Sequence, residues 1–164
     1  AGHCVSLGAM AQAEAAPIID KVARAGIGVV TLPAVNLVLQ GRGDTARTRR
    51  GLTRVKELLA AGVRVAAASD NVQDPFNPFG NYDLVWLANL CAHAAHLTGT
   101  GERAAAWALV TSAPAALLGR PGAVEVGAEA DLVILAHPDP ATCLAALPPR
   151  YAVLRRGVPL SLEG

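Results

Sequence analysis

Two short apolar runs, Ile27-Gly28-Val29-Val30-Thr31-Leu32 and Val63-Arg64-Val65-Ala66-Ala67-Ala68, constrain this chain more than any other feature. Each is rich in β-branched and small residues, and each follows a stretch with helical spacing that ends on a glycine. From about Met10 to Ala25, Ile18, Ile19 and Val22 form an i, i+3, i+4 stripe, and Gly26 closes the helix. From Thr53, Val55, Leu58 and Leu59 share a second helical face, which Gly62 stops. Continuous apolar runs of this length read as strands buried on both faces, and alternation of helix and strand implies a parallel sheet with crossover helices. The first run is closed by Pro33, and the residues from Ala34 to about Gly51 are expected to form a loop.

The second run leads directly into Ser69-Asp70-Asn71. The carboxyl end of a parallel strand is where α/β folds assemble active sites, so Asp70 is a candidate for chemistry. The competing reading is local: Ser, Asp and Asn after a strand also form turns through bonds to their own backbone.

A longer apolar helix is expected from Tyr82 to Leu97 through Trp86, Leu87, Leu90 and Cys91, another from about Glu102 to Val110, and a short one after Thr111-Ser112-Ala113-Pro114. After Gly119 the texture changes. Asp131-Leu132-Val133-Ile134-Leu135 and Tyr151-Ala152-Val153-Leu154-Arg155 look like strands of a separate sheet, joined through Pro138, Pro140, Pro148 and Pro149 with a small helix near Thr142 to Ala146.

At 164 residues the chain is long enough to bury one substantial core, and its 52% apolar and 16% charged residues are those of a globular protein. Fourteen basic against thirteen acidic residues leave a net charge of +1, which gives no electrostatic case for nucleic acid or an anionic membrane. The local cluster Arg42, Arg47, Arg49, Arg50 and Arg54 reads as a solvated loop. No apolar run reaches the roughly 18 residues of a membrane span, and the amino terminus carries no secretory signal pattern. Cys4, Cys91 and Cys143 have no metal or redox spacing, so reduced thiols and a cytoplasmic location are the expectation.

Gly2-His3-Cys4-Val5-Ser6-Leu7, Leu39-Gln40-Gly41-Arg42, Arg50-Gly51-Leu52-Thr53-Arg54-Val55-Lys56-Glu57-Leu58, Ser69-Asp70-Asn71-Val72 with Asp74-Pro75-Phe76, Thr111-Ser112-Ala113-Pro114-Ala115, and Ala130-Asp131-Leu132-Val133-Ile134 occur in this order. Together they resemble the bacterial cytosine deaminases of the amidohydrolase superfamily over nearly the whole chain. The resemblance implies an α/β chain: the carboxy-terminal part of a TIM-like (β/α)8 metal-dependent hydrolase barrel, strands 6 to 8 with their helices, followed by strands of a small β-sandwich. Residues 1–119 would belong to the barrel and 120–164 to the sandwich. His3 would follow strand 6, Ile27 to Leu32 would be strand 7 and Val63 to Ala68 strand 8.

The same resemblance implies the chemistry: hydrolysis of a ring C–N bond in cytosine or a related small heterocycle, with a divalent metal, zinc or iron. Asp70 matches the aspartate that binds the metal and takes a proton from the attacking water. His3 matches the histidine that stabilises the developing alkoxide or relays a proton. Asn71 stands where some of these enzymes carry a second aspartate, and Asp74 and Phe76 resemble the loop lining the substrate pocket, where Phe76 would pack on a flat ring or under the loop. Gln40 and Arg42 lie in a loop expected to support the site. His93 and His96, three apart on one helix, are expected to be structural or solvent-facing.

The family's remaining ligands, a His-x-His pair and a further histidine, have no counterpart among the four histidines here. The expectation is therefore a chain that does not hold a catalytic metal alone, whose amino-terminal strands lie elsewhere and whose open edges favour homo-oligomers. The alternative is a truncated domain that folds and self-associates without turnover.

Overall fold

The computed structural model describes residues 1–161. The two apolar runs pair as expected: β1 (Val29–Thr31) lies parallel to β2 (Val65–Ala67), with Val29 opposite Val65 and Thr31 opposite Ala67. β2 is buried throughout, and Val29 and Thr31 of β1 are buried beside it. The amino-terminal segment continues the sheet on the other side. Gly2 forms a parallel bridge with Val30, the His3 amide donates to the Val30 carbonyl at 3.0 Å, and the Val30 amide donates to the Ala1 carbonyl at 2.8 Å. Segment 1–3, β1 and β2 thus run side by side in one direction, and their carboxyl ends face the same way.

Helices fill the connections. After a single turn of helix, α1 (Val5–Ala9), α2 (Gln12–Arg24) buries Ala15 and Ile19 in the core, while Ile18 of the expected stripe is exposed. The Glu14 side chain accepts from the Ala11 amide at 3.2 Å, satisfying one of the unpaired donors of the first turn. The stretch expected to be a loop begins instead with α3 (Pro33–Leu39). Pro33 occupies the first helical turn, where its missing N–H costs nothing and its fixed φ suits the helix. The residue read as a strand terminator is therefore also a helix initiator, and Pro33, Ala34, Val35 and Asn36 are all buried.

α4 (Val55–Ala60) starts two residues after Thr53 and buries Val55 and Leu58. Gly62 then adopts φ 77, the left-handed conformation that ends a helix with least strain in glycine. α5 (Leu84–Ala94) buries Leu87, Ala88 and Cys91, and α6 (Thr100–Ala108) and α7 (Ser112–Leu117) follow.

The last part of the chain forms a three-stranded antiparallel sheet, β3 (Leu132–Leu135), β4 (Arg150–Arg155) and β5 (Val158–Pro159). Its connecting helix α8 (Pro140–Ala146) packs on α5 and α6, and Asn89 Nδ2 donates to the Leu144 carbonyl at 2.8 Å. Arg150 also reaches Asp83 at 2.5 Å, tying β4 to the start of α5. Among the described residues this is the one antiparallel sheet, a single layer with Val133, Tyr151 and Val158 exposed.

Candidate functional site

Parallel alignment brings the ends of segment 1–3 and β2 to one edge of the sheet, and the backbone there turns sharply. His3 and Asp70 both have φ 60, in the left-handed region that non-glycine residues rarely occupy. Such conformations cost on the order of 1–3 kcal/mol and persist only where the surroundings impose them. The consequence is a meeting of side chains: His3 Nε2 lies 3.5 Å from Asp70 Oδ2, with side-chain exposures of 47% and 30%. A carboxylate and an imidazole in reach of solvent at the carboxyl end of a parallel sheet can accept, donate and relay protons.

Buried polar groups fix His3 from behind. Thr53 Oγ1 stands 2.6 Å from the His3 carbonyl and 2.9 Å from Thr31 Oγ1. The carbonyl can only accept, so the single Thr53 proton goes to it and Thr31 closes the pair as donor. The imidazole is held separately, with His3 Nδ1 at 2.9 Å from Asn36 Oδ1. Asn36 is 2% exposed, and its Nδ2 has no hydrogen-bond partner among the described residues. An unsatisfied buried amide costs about 1–3 kcal/mol, so its retention needs a reason.

Beyond Asp70 the loop is organised around Asp74. One carboxyl oxygen accepts from the amides of Phe76 at 2.9 Å and Asn77 at 3.0 Å, and the other from the Asn71 side chain. These bonds, the Asn71 one foremost, hold the Asp74 carboxyl below its ordinary range. Asn77, buried, returns its Nδ2 to the Asn71 carbonyl at 2.8 Å. Asn71 and Asp74 are thus turned toward each other, and the loop presents Phe76 outward at 59% exposure, neither under the loop nor in the core.

Gln40 caps the end of α3, its amide donating to the Asn36 carbonyl at 2.9 Å. Its side chain packs where Gly51 leaves room, since a Cβ on Gly51 would meet Gln40 Cγ at 2.2 Å. Arg42 Nε donates to the Val38 carbonyl at 2.9 Å, and Asp44 is held by Arg49, which pulls its carboxyl down to about 2. His93 is exposed and bonds through Nδ1 to the Asn89 carbonyl of its own helix, so the His93 and His96 pair builds no site.

Asn36, Thr31 and Thr53 belong to the site without standing out in the sequence. Asn36 lies in the buried first turn of α3, a placement hidden in the sequence because Pro33 reads equally as the end of the preceding strand.

Among the described residues no cluster of three or more His, Cys, Asp or Glu could hold a metal ion. Asp70 and His3 alone fall short of the three protein ligands of a catalytic zinc site. All three cysteines are free, and no helix among the described residues is long and apolar enough to cross a membrane.

The profile of the Amidohydrolase family matches residues 2–154. The chain is 43% identical over 161 residues to a pterin deaminase of Rhizobium rhizogenes (strain K84 / ATCC BAA-868), an alignment that covers 96% of this chain and 36% of that protein. Among solved structures it resembles 5-methylcytosine deaminase from Klebsiella pneumoniae liganded with 5-fluorocytosine, with TM-score 0.91 and 27% identity over 99% of this chain and 40% of that one. An atrazine chlorohydrolase from Arthrobacter aurescens complexed with zinc shares the fold at TM-score 0.62 and 24% identity, over 88% of this chain and 33% of that chain. The chain therefore spans about two-fifths or less of the relatives it matches. Matched along nearly its whole length, it belongs to the amidohydrolase family.

Proposed function

We propose that this chain supplies one wall of the active site of a hydrolytic deaminase acting on a nitrogen heterocycle of the pterin or pyrimidine class. The observation that carries the reading is the approach of His3 Nε2 to Asp70 Oδ2 at the carboxyl end of parallel strands, in a chain 43% identical to a pterin deaminase. In this reading segment 1–3, β1 and β2 are the sixth to eighth strands of a (β/α)8 barrel, and β3–β5 contribute to a small sandwich.

The reaction joins a water oxygen to the ring carbon that bears the amino group while the C=N π pair moves to the ring nitrogen, which takes one water proton; the exocyclic C–N bond then breaks to leave a ring carbonyl and ammonia. Asp70 accepts a proton from the water as it adds. His3 stabilises the oxygen of the tetrahedral adduct, and proton return to the departing nitrogen completes the balance. Phe76 offers a flat apolar face to the ring, while Asn71, Asp74 and Gln40 shape the surrounding loops. A divalent ion, zinc or iron, is the proposed cofactor, with Asp70 as one ligand. Asp70 and His3 do not make that site alone, so further ligands are proposed to come from outside the described residues, and the part played by His3 and Asp70 is proton handling.

A second reading is a domain that folds and self-associates without catalysis. Exposed apolar residues such as Leu118, Val124 and Val133 give such a domain surfaces to cover. Ammonia release from pterin, cytosine and related aminated rings separates the two: turnover that Asp70→Asn abolishes supports the deaminase, and no turnover on any of them with a stable oligomer supports the second reading.

A further inference from the structure

We propose that Asn36 is a positioning residue that selects the tautomer of His3, holding it with the proton on Nε2, where that proton faces Asp70 and the reacting oxygen. The inference rests on the reading of His3 as part of the deaminase site. Asn36 is buried, and among the described residues its side-chain amide touches one polar partner, His3 Nδ1, at 2.9 Å. A half-turn of the amide about its terminal torsion interchanges oxygen and nitrogen with almost no change of shape, and the two orientations make opposite demands on the imidazole.

With the oxygen toward a neutral ring, Nδ1 must carry the proton, Nε2 directs a lone pair at the Asp70 carboxylate 3.5 Å away, and both protons of Nδ2 stay buried without a partner among the described residues. With the nitrogen toward the ring, Nδ2 donates to Nδ1, and Nε2–H points at the carboxylate. Only a carbonyl oxygen is then left unpaired, which proteins tolerate more readily than an orphan donor. The second arrangement removes two unfavourable contacts at once. It also makes Nε2 a donor, as stabilisation of an oxyanion requires.

Apart from Asp70, 3.5 Å from Nε2, Asn36 is the one group among the described residues that holds an imidazole nitrogen: Thr53 fixes the His3 carbonyl, not the ring. The asparagine enters from β1's continuation into α3, so the tautomer is set by an element that carries no catalytic group of its own.

The test is the two-bond proton–nitrogen correlation spectrum of the full chain labelled with ¹⁵N-histidine, at a pH roughly two units above the ordinary imidazole value of about 6.5, with His3→Gln assigning the resonance. The expected result is the Nε2–H form for His3 in the wild type, and loss of that form in favour of Nδ1–H in Asn36→Asp, whose carboxylate can only accept. A wild-type spectrum showing the Nδ1–H form overturns the proposal and needs no variant to fold. So does a folded Asn36→Asp protein whose His3 tautomer is unchanged. Because the spectrum is recorded without substrate, the expected tautomers together with failure to deaminate any heterocycle would uphold the role of Asn36 on the ring and overturn the deaminase reading alone.

Discussion

His3 Nε2 and Asp70 Oδ2 stand 3.5 Å apart, each carried on a backbone at φ 60. The two strained residues lie at the carboxyl ends of the outer strands of the parallel sheet, with β1 between them. Their meeting is thus a product of strand order, not of local sequence.

Replacement of Asp70 by Asn keeps a residue that tolerates the left-handed region and removes the proton acceptor. Turnover should fall by roughly 10²–10⁴-fold, the usual worth of a positioned acid or base. Circular dichroism should be unchanged, and activity within tenfold of wild type would remove Asp70 from the chemistry.

Asp74 serves the loop through bonds to Asn71, Phe76 and Asn77. In Asp74→Ala the amides of Phe76 and Asn77 should exchange with solvent faster while the sheet amides keep their protection. Equal loss of protection in both regions would show that the carboxylate supports the whole fold.

Asp83 caps α5, accepting from the amides of Val85 at 2.8 Å and Trp86 at 3.1 Å. Partial burial acts to raise its pKa, but Arg150 and those two amides together outweigh it and lower the carboxyl overall. Folding therefore favours the ionised form. The contribution is complete above the ordinary carboxylate value of about 3.9 and is lost as pH falls through the lowered folded value. Asp83→Ala should cost about 0.5–2 kcal/mol at neutral pH, as loss of a helix cap does. In urea unfolding the gap between variant and wild type should narrow below about pH 4. A gap independent of pH would contradict the assignment.

Cys91 is buried among apolar neighbours, which pushes its thiol up to about 12. At neutral pH it is a protonated hydrophobe, so iodoacetamide should modify half-buried Cys4 ahead of Cys91 in the native chain. Equal labelling of both without denaturant would contradict this packing.

Much of the fold is legible because burial writes itself into periodicity. The β-branched runs around Val29 and Val65 could bury both faces only as strands of a parallel sheet covered by helices, and the helical stripe ending in Leu58 and Leu59 could lie only on the sheet. α3 is not legible, since Pro33 ends one element and begins the next with no polar break between them. The Asn36 contact with His3 and the threonine pair behind it are hidden for another reason: they depend on the register of neighbouring strands, which a one-dimensional pattern does not contain. Resemblance puts Asp74 beside the substrate, but an aspartate two residues before Phe76 also suits a local turn, and its carboxylate oxygens bond within the loop.

Ammonia release from pterin and cytosine by the full-length protein, measured in wild type and in Asp70→Asn of equal thermal stability, bears on the deaminase reading without intermediaries. That reading predicts release matched one to one by the oxo product in the wild type, reduced at least about 10²-fold in the variant. Undiminished release in Asp70→Asn would contradict it.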